Sequence, residues 1–214
     1  MSVFRVLVEE CIKELSVKDQ IRENLIKISR EITRNASNAI HALQIGNFSE
    51  AKENIEKLKN LVDELNRLCE NFPEFFQAGY VSDCLAEYVE AVVFYKILQG
   101  KEDIKGHREL KVPIQSYLCG LGDVVGELRR AVLSSLIKDD LERAEKLLKV
   151  MNDIVAALSQ IHFPDALVPG LRRKCDIGRR ILEETIADYL RALERKRIED
   201  YAKKLLEKLE KTSI

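Results

Sequence analysis

Tryptophan is absent, and proline occurs only four times and glycine nine times in 214 residues. Such sparse punctuation excludes a chain of many short strands and tight turns, and strand-like alternation is nearly missing. Aromatic residues make up only 6% of the chain. No basic surface is interleaved with aromatics in the way that stacks on single-stranded nucleic acid. An excess of positive charge is also lacking, since 35 Lys and Arg face 36 Asp and Glu. The whole chain is therefore not polybasic, and any nucleic-acid surface must come from local clustering. No apolar run is long enough to span a bilayer and no signal-peptide pattern opens the chain, so a soluble, cytoplasmic protein is expected. The five cysteines, Cys11, Cys69, Cys84, Cys119 and Cys175, form no Cys-x-x-Cys pair. Most lie in apolar periodic stretches and read as buried free thiols of a reducing compartment. His41, His107 and His162 supply no Glu-x-x-His di-iron pattern, and the glycines form no dinucleotide fingerprint.

What remains is helix. Hydrophobic residues reach 46%, enough for a core, and charged residues 33%, above the usual share of about a quarter. A first long helix is expected from about Ser2 to Gln44, ended by Gly46-Asn47. A second covers Glu50 to Glu70 with Ser49 as N-cap, and Asn71-Phe72-Pro73 breaks it. A third spans Glu74 to Leu98. Pro113 suits the first turn of a fourth, reaching Ile137. Asp139-Asp140 starts a fifth, ending near Ile161, and a last long helix runs from Leu171. The expectation is one all-α domain over residues 1–214, an antiparallel bundle of about six to seven helices with long first and last members. The highly charged stretch Glu194–Lys211, with its sparse apolar stripe Ile198, Leu205, Leu206 and Leu209, reads either as a solvated helix end or as an oligomer contact or basic arm.

The chemistry sits in two acidic pairs. Glu87 and Glu90 interrupt the apolar stretch Leu85–Phe94, and Asp123 and Glu127 interrupt Tyr117–Leu128. Residues three or four apart share a helix face, so each pair projects two carboxylates one way. Four carboxylates in one place repel, and a hard divalent cation relieves that repulsion. Such an ion polarises a phosphoryl oxygen and activates water, the logic of phosphodiester hydrolysis. Ser116, Gly120 and Ser134 share the Asp123–Glu127 face, and Gly120, Gly122 and Gly126 suggest close approach by a helix or ligand. The plainer alternative is ion pairing, with Arg129 and Arg130 near Glu127.

Lys27-Ile28-Ser29-Arg30-Glu31-Ile32-Thr33, Glu87-Tyr88-Val89-Glu90-Ala91 and the run from Tyr117-Leu118 through Gly122-Asp123 to Gly126-Glu127-Leu128 resemble the translin superfamily. The likeness is greatest to its catalytic branch, the translin-associated factor X proteins. It implies a translin-like all-α fold and a hollow homo-oligomer, an octamer. It further implies Mg2+-dependent endoribonuclease activity, with Mn2+ as a substitute ion. The resemblance carries the metal and catalytic roles onto Glu87, Glu90, Asp123 and Glu127.

Single- or double-stranded RNA, or single-stranded DNA, is the expected partner. Lys27, Arg30, Arg34 and His41 fall near one face of the first helix. Arg172, Arg173, Lys174, Arg179 and Arg180 cluster at the start of the last. Such clusters neutralise phosphates without reading sequence. Two other functions compete with the endoribonuclease: a non-catalytic RNA- or DNA-binding scaffold, and an all-α nucleotide pyrophosphohydrolase, which also uses Glu-x-x-Glu.

Overall fold

A computed structural model of the chain describes residues 3–101 and 103–212, and the expected start at Ser2 lies outside them. Six α-helices and one short 3-10 helix make up the regular structure, with no strand among the described residues. They are α1 (Val3–Gln44), α2 (Phe48–Glu70), the 3-10 helix (Pro73–Gln77), α3 (Gly79–Leu98), α4 (Ile114–Ile137), α5 (Leu141–Leu158) and α6 (Leu171–Thr212).

The chain divides into two compact units. The first contains the residues up to Val124 together with Pro164–Leu171, and within it α1 packs against both α2 and α3. Its core follows from helical spacing. Leu25, Ile28, Ile32, Ala36, Ala39 and Leu43 line one face of α1, and Ala51, Ile55, Leu58, Val62, Leu65 and Cys69 one face of α2. Leu25, Ile32, Leu58 and Leu65 are wholly buried, each stabilising the fold by about 1.5–3 kcal/mol relative to an exposed side chain. α3 is apolar nearly all round, with Val81, Leu85, Val89 and Phe94 fully buried.

The second unit holds Val125–Phe163 and Arg172 onward. Ala144, Leu147, Met151, Val155 and Leu158 form the buried stripe of α5. Arg129 donates to Thr185 Oγ1 at 3.0 Å and pairs with Asp188 at 3.2 Å, pinning α4 to α6. Arg195 reaches back to Asp139 at 2.9 Å.

Several boundaries differ from expectation for local reasons. α2 starts at Phe48, and its N-cap is Asn47, not Ser49: Asn47 Oδ1 accepts from the Glu50 amide at 3.2 Å, while its Nδ2 donates to Glu50 Oε2 at 2.8 Å. The same residue closes α1, since its amide donates to Ala42 O at 2.8 Å beside Gly46 at φ +83°. That left-handed turn satisfies the last carbonyls of α1 and costs glycine nothing. The segment after Pro73 is a 3-10 turn, so α3 begins at Gly79 and not at Glu74. Pro113 stands just before α4, its carbonyl accepting from the Tyr117 amide at 3.0 Å. α5 stops at Leu158, three residues short of the expected Ile161. Among the cysteines, Cys69, Cys84 and Cys119 are buried as expected, but Cys11 is exposed and Cys175 half-buried.

Replacing Asn47 by Ala removes one reciprocal cap and lowers unfolding stability by about 1 kcal/mol. Ser49→Ala leaves urea unfolding unchanged, and the pair of curves separates the two candidate caps.

Candidate metal and nucleic-acid site

α3 carries the first two acids because its neighbours leave only a narrow flank open. Ala86, Tyr88, Val89 and Ala91 are buried, while Glu87 and Glu90 are half-buried. Asp123 on α4 is likewise half-buried. What brings α4 to this flank is a missing side chain. A Cβ on Gly120 would lie 2.5 Å from Ala86 O, 2.7 Å from Val89 Cβ and 2.9 Å from Val89 Cγ1. The two helices therefore meet at Ala86 and Val89, the residues immediately before Glu87 and Glu90 on α3, with Asp123 three residues along α4 from Gly120. Gly126, by contrast, has nothing within 4 Å of such a Cβ, so it is not there for close approach.

Ser116, on the Gly120 face of α4, is buried, and its hydroxyl has no hydrogen-bond partner. Glu87, Glu90, Asp123 and Glu127 each take part in a polar or electrostatic interaction. In the second unit, Glu127 pairs at 3.8 Å with Arg130, whereas Arg129 turns to α6. Among the described residues no group of three or more His, Cys, Asp or Glu side chains is gathered closely enough to hold a metal ion.

The basic residues divide. Lys27, Arg30, Arg34 and His41 are all exposed on α1. Arg30 and Arg34, with Asn38, line one side of a groove of about 640 Å3 whose other side is Tyr80, Asp83 and Cys84 of α3. Asp83 was not anticipated, although it stands four residues before Glu87 and so extends the same acidic face. Burial pushes the Cys84 thiol up to about 12, and the negative charges of Glu87 and Asp83 add to the rise. Cys84 is thus an inert thiol beside the acids and no nucleophile. In the second unit, Arg172 and Arg173 are exposed in the first turn of α6. Arg179 and Arg180 of the same cluster pair along their own helix with Asp176 at 3.0 Å and Glu184 at 4.0 Å. His107 sits against Tyr117, ring centroids 6.2 Å apart, and serves packing.

The pattern of the translin family matches residues 20–185. The chain belongs to the translin family. An uncharacterized protein of Methanocaldococcus jannaschii is 35% identical over 196 residues, covering 91% of this chain and 86% of the relative. Among solved structures, the AfC3PO–duplex RNA complex is 33% identical and superposes with a TM-score of 0.81, covering 88% of this chain and 97% of that one. Apo-NeC3PO is 25% identical with a TM-score of 0.77, covering 86% and 96%. The all-helical architecture of this translin-family chain is that of these neighbours. No helix of the described residues is long and apolar enough to cross a membrane.

Does the acid set of this translin-family chain suit a metal? Its donors are carboxylate oxygens alone, which favour hard ions such as Mg2+ or Mn2+ over soft ones. The side-chain-free approach at Gly120 and the unpartnered Ser116 hydroxyl lie on the same flank. The donor chemistry fits.

Gly120→Ala forces α3 and α4 apart and costs about 1–3 kcal/mol in chemical unfolding. Gly126→Ala, in open space, stabilises α4 by about 0.5–1 kcal/mol.

Proposed function

We propose that this protein binds duplex RNA as an oligomer and hydrolyses its phosphodiester bonds with a divalent cation held by Glu87, Glu90, Asp123 and Glu127. The reading rests on the Gly120 contact, which sets α4 against Ala86 and Val89, the residues next to Glu87 and Glu90, three residues before Asp123. Likeness to AfC3PO, which has been solved with duplex RNA, supports RNA as the ligand. A divalent cation would offset the repulsion among like-charged carboxylates on these two helices. A bound Mg2+ would polarise the phosphoryl oxygen and acidify water.

The chain's own groups do the rest. Arg30 and Arg34 sit across the groove from Asp83, one helical turn from Glu87. They neutralise phosphates next to the acids and hold the strand there. Lys27 extends that basic face along α1, while Arg172 and Arg173 offer a second anchoring patch. Assembly follows from uncovered apolar surface: Phe4, Leu7, Val8, Ile12 and Leu15 on α1 and Ile198, Leu205, Leu206 and Leu209 on α6 are all more than half exposed. Surfaces of this kind favour self-association, and an octamer is the assembly proposed, in line with the resemblance to the translin-associated factor X proteins.

A non-catalytic RNA-binding scaffold is the second reading, favoured by the absence of a preassembled acidic group among the described residues. Cleavage of labelled duplex RNA over a Mg2+ and Mn2+ titration decides between them. Glu90→Gln and Asp123→Asn each reduce cleavage to background while RNA binding and folding persist. Ion-dependent cleavage retained in both variants would remove the acids from the reaction. Absence of ion-dependent cleavage by the parent protein would leave the scaffold.

The arginines make a separate prediction. Arg30→Gln with Arg34→Gln weakens binding to unrelated duplexes alike. It flattens the slope of log affinity against log salt by roughly one per arginine. An unchanged slope moves the RNA to the Arg172–Arg173 patch.

A further inference from the structure

The first unit holds a second cavity, of about 290 Å3, between α2, α3 and the segment that follows α3. Its floor is apolar: Val62, Tyr88, Val92 and Leu110 are all buried. Its rim carries four lysines, Lys59, Lys96, Lys105 and Lys111. Two of them are anchored by carboxylates, Lys111 to Asp63 at 2.8 Å and Lys96 to Asp103 at 2.6 Å. The remaining rim acid, Glu109, accepts from the Gly106 amide at 3.1 Å. Lys59 and Lys105 have no ion-pair partner among the described residues, so the rim keeps a positive excess.

The lining is also held rigidly. Lys111 adopts φ +56°, a left-handed conformation unusual for a side-chain-bearing residue. It is fixed there by Asn66 Nδ2 donating to its carbonyl at 3.0 Å and by Asp63 at its ammonium. Strain held in place from both ends is characteristic of ligand-binding segments. Burial keeps the Tyr88 phenol protonated, its pKa pushed up to about 12, so the floor offers no competing anion there. Tyr88 and Val92 occupy a different face of α3 from Glu87 and Glu90.

An apolar floor under a cationic rim selects a small molecule with a flat apolar body and an anionic end. The volume lies at the lower limit for ligand pockets, too small for an oligonucleotide. A phosphate monoester brings nearly two negative charges and three acceptor oxygens, which suits two unpaired ammonium groups better than a carboxylate does. We propose that this cavity binds a nucleoside monophosphate, with the base over Tyr88 and Val92 and the phosphate between Lys59 and Lys105. The proposal is independent of the acids on the other face of α3.

Calorimetric titration of the full chain with AMP and UMP, in chelator and low salt, tests it. Both nucleotides are expected to bind. Lys59→Gln with Lys105→Gln, at exposed positions that do not disturb the core, weakens binding about tenfold or more. Glu90→Gln leaves it unchanged, which separates this cavity from the acid site. Three results would overturn the idea: no binding at millimolar nucleotide, equal affinity for inorganic phosphate, or tighter binding of decanoate. Undiminished nucleotide binding in the double lysine variant would do so as well.

Discussion

The contact on which the candidate chemistry depends is a backbone contact, the approach of Gly120 to Ala86 and Val89. Helices bearing ordinary side chains pack with their axes about 8–10 Å apart. At Gly120 the missing methyl group is what the contact requires, since a Cβ there would stand 2.5 Å from Ala86 O. A glycine inside a helix costs roughly 1 kcal/mol relative to alanine, and the close approach is what that cost obtains. Glu87, Glu90 and Asp123 each stand within three residues of that contact.

α3 is also the wall shared by two different environments. On one side, Asp83 and Cys84 face the arginines of α1 across an open groove. On another, Tyr88 and Val92 close the floor of the lysine-rimmed cavity. A single apolar helix can serve both because its faces alternate every few residues. It is held in place by α1, whose buried stripe packs along it. The arginine-lined groove and the candidate acid site therefore share α3, the first with α1 and the second with α4.

Much of this was legible in the chain. The long helices, their approximate ends and the breaks at Gly46-Asn47 and Pro73 follow from periodicity and from scarce glycine and proline. The Ser49 cap failed because Ser and Asn are both good caps, and the choice fell to the turn that ends α1, which places Asn47 and not Ser49 at the junction. The start of α3 failed because the residues after Pro73 form a 3-10 turn before the α-helix begins. For the acids, spacing reveals which residues share a face. It carries no information about the distance across two helices. Asp83 was discoverable by the same four-residue spacing that picked out Asp123 and Glu127. In the basic cluster of α6, Arg179 and Arg180 have acids one turn away in the sequence, so their neutralisation was readable as well.

α1 is physically two helices in one. Every residue from Val3 to Gln20 is exposed, while the buried stripe begins at Leu25. Most of a helix's stability in a protein comes from tertiary packing of its apolar face, not from intrinsic propensity. The outer half therefore holds its hydrogen bonds chiefly by continuing a helix whose inner half is packed. Amide protection should fall in a gradient along one unbroken element, from the global unfolding value near Ile32 toward fraying near Val3. Whatever covers those outer turns gains more than contact area: it turns a fraying end into a cooperative part of the fold, and the stability of α1 becomes a function of protein concentration.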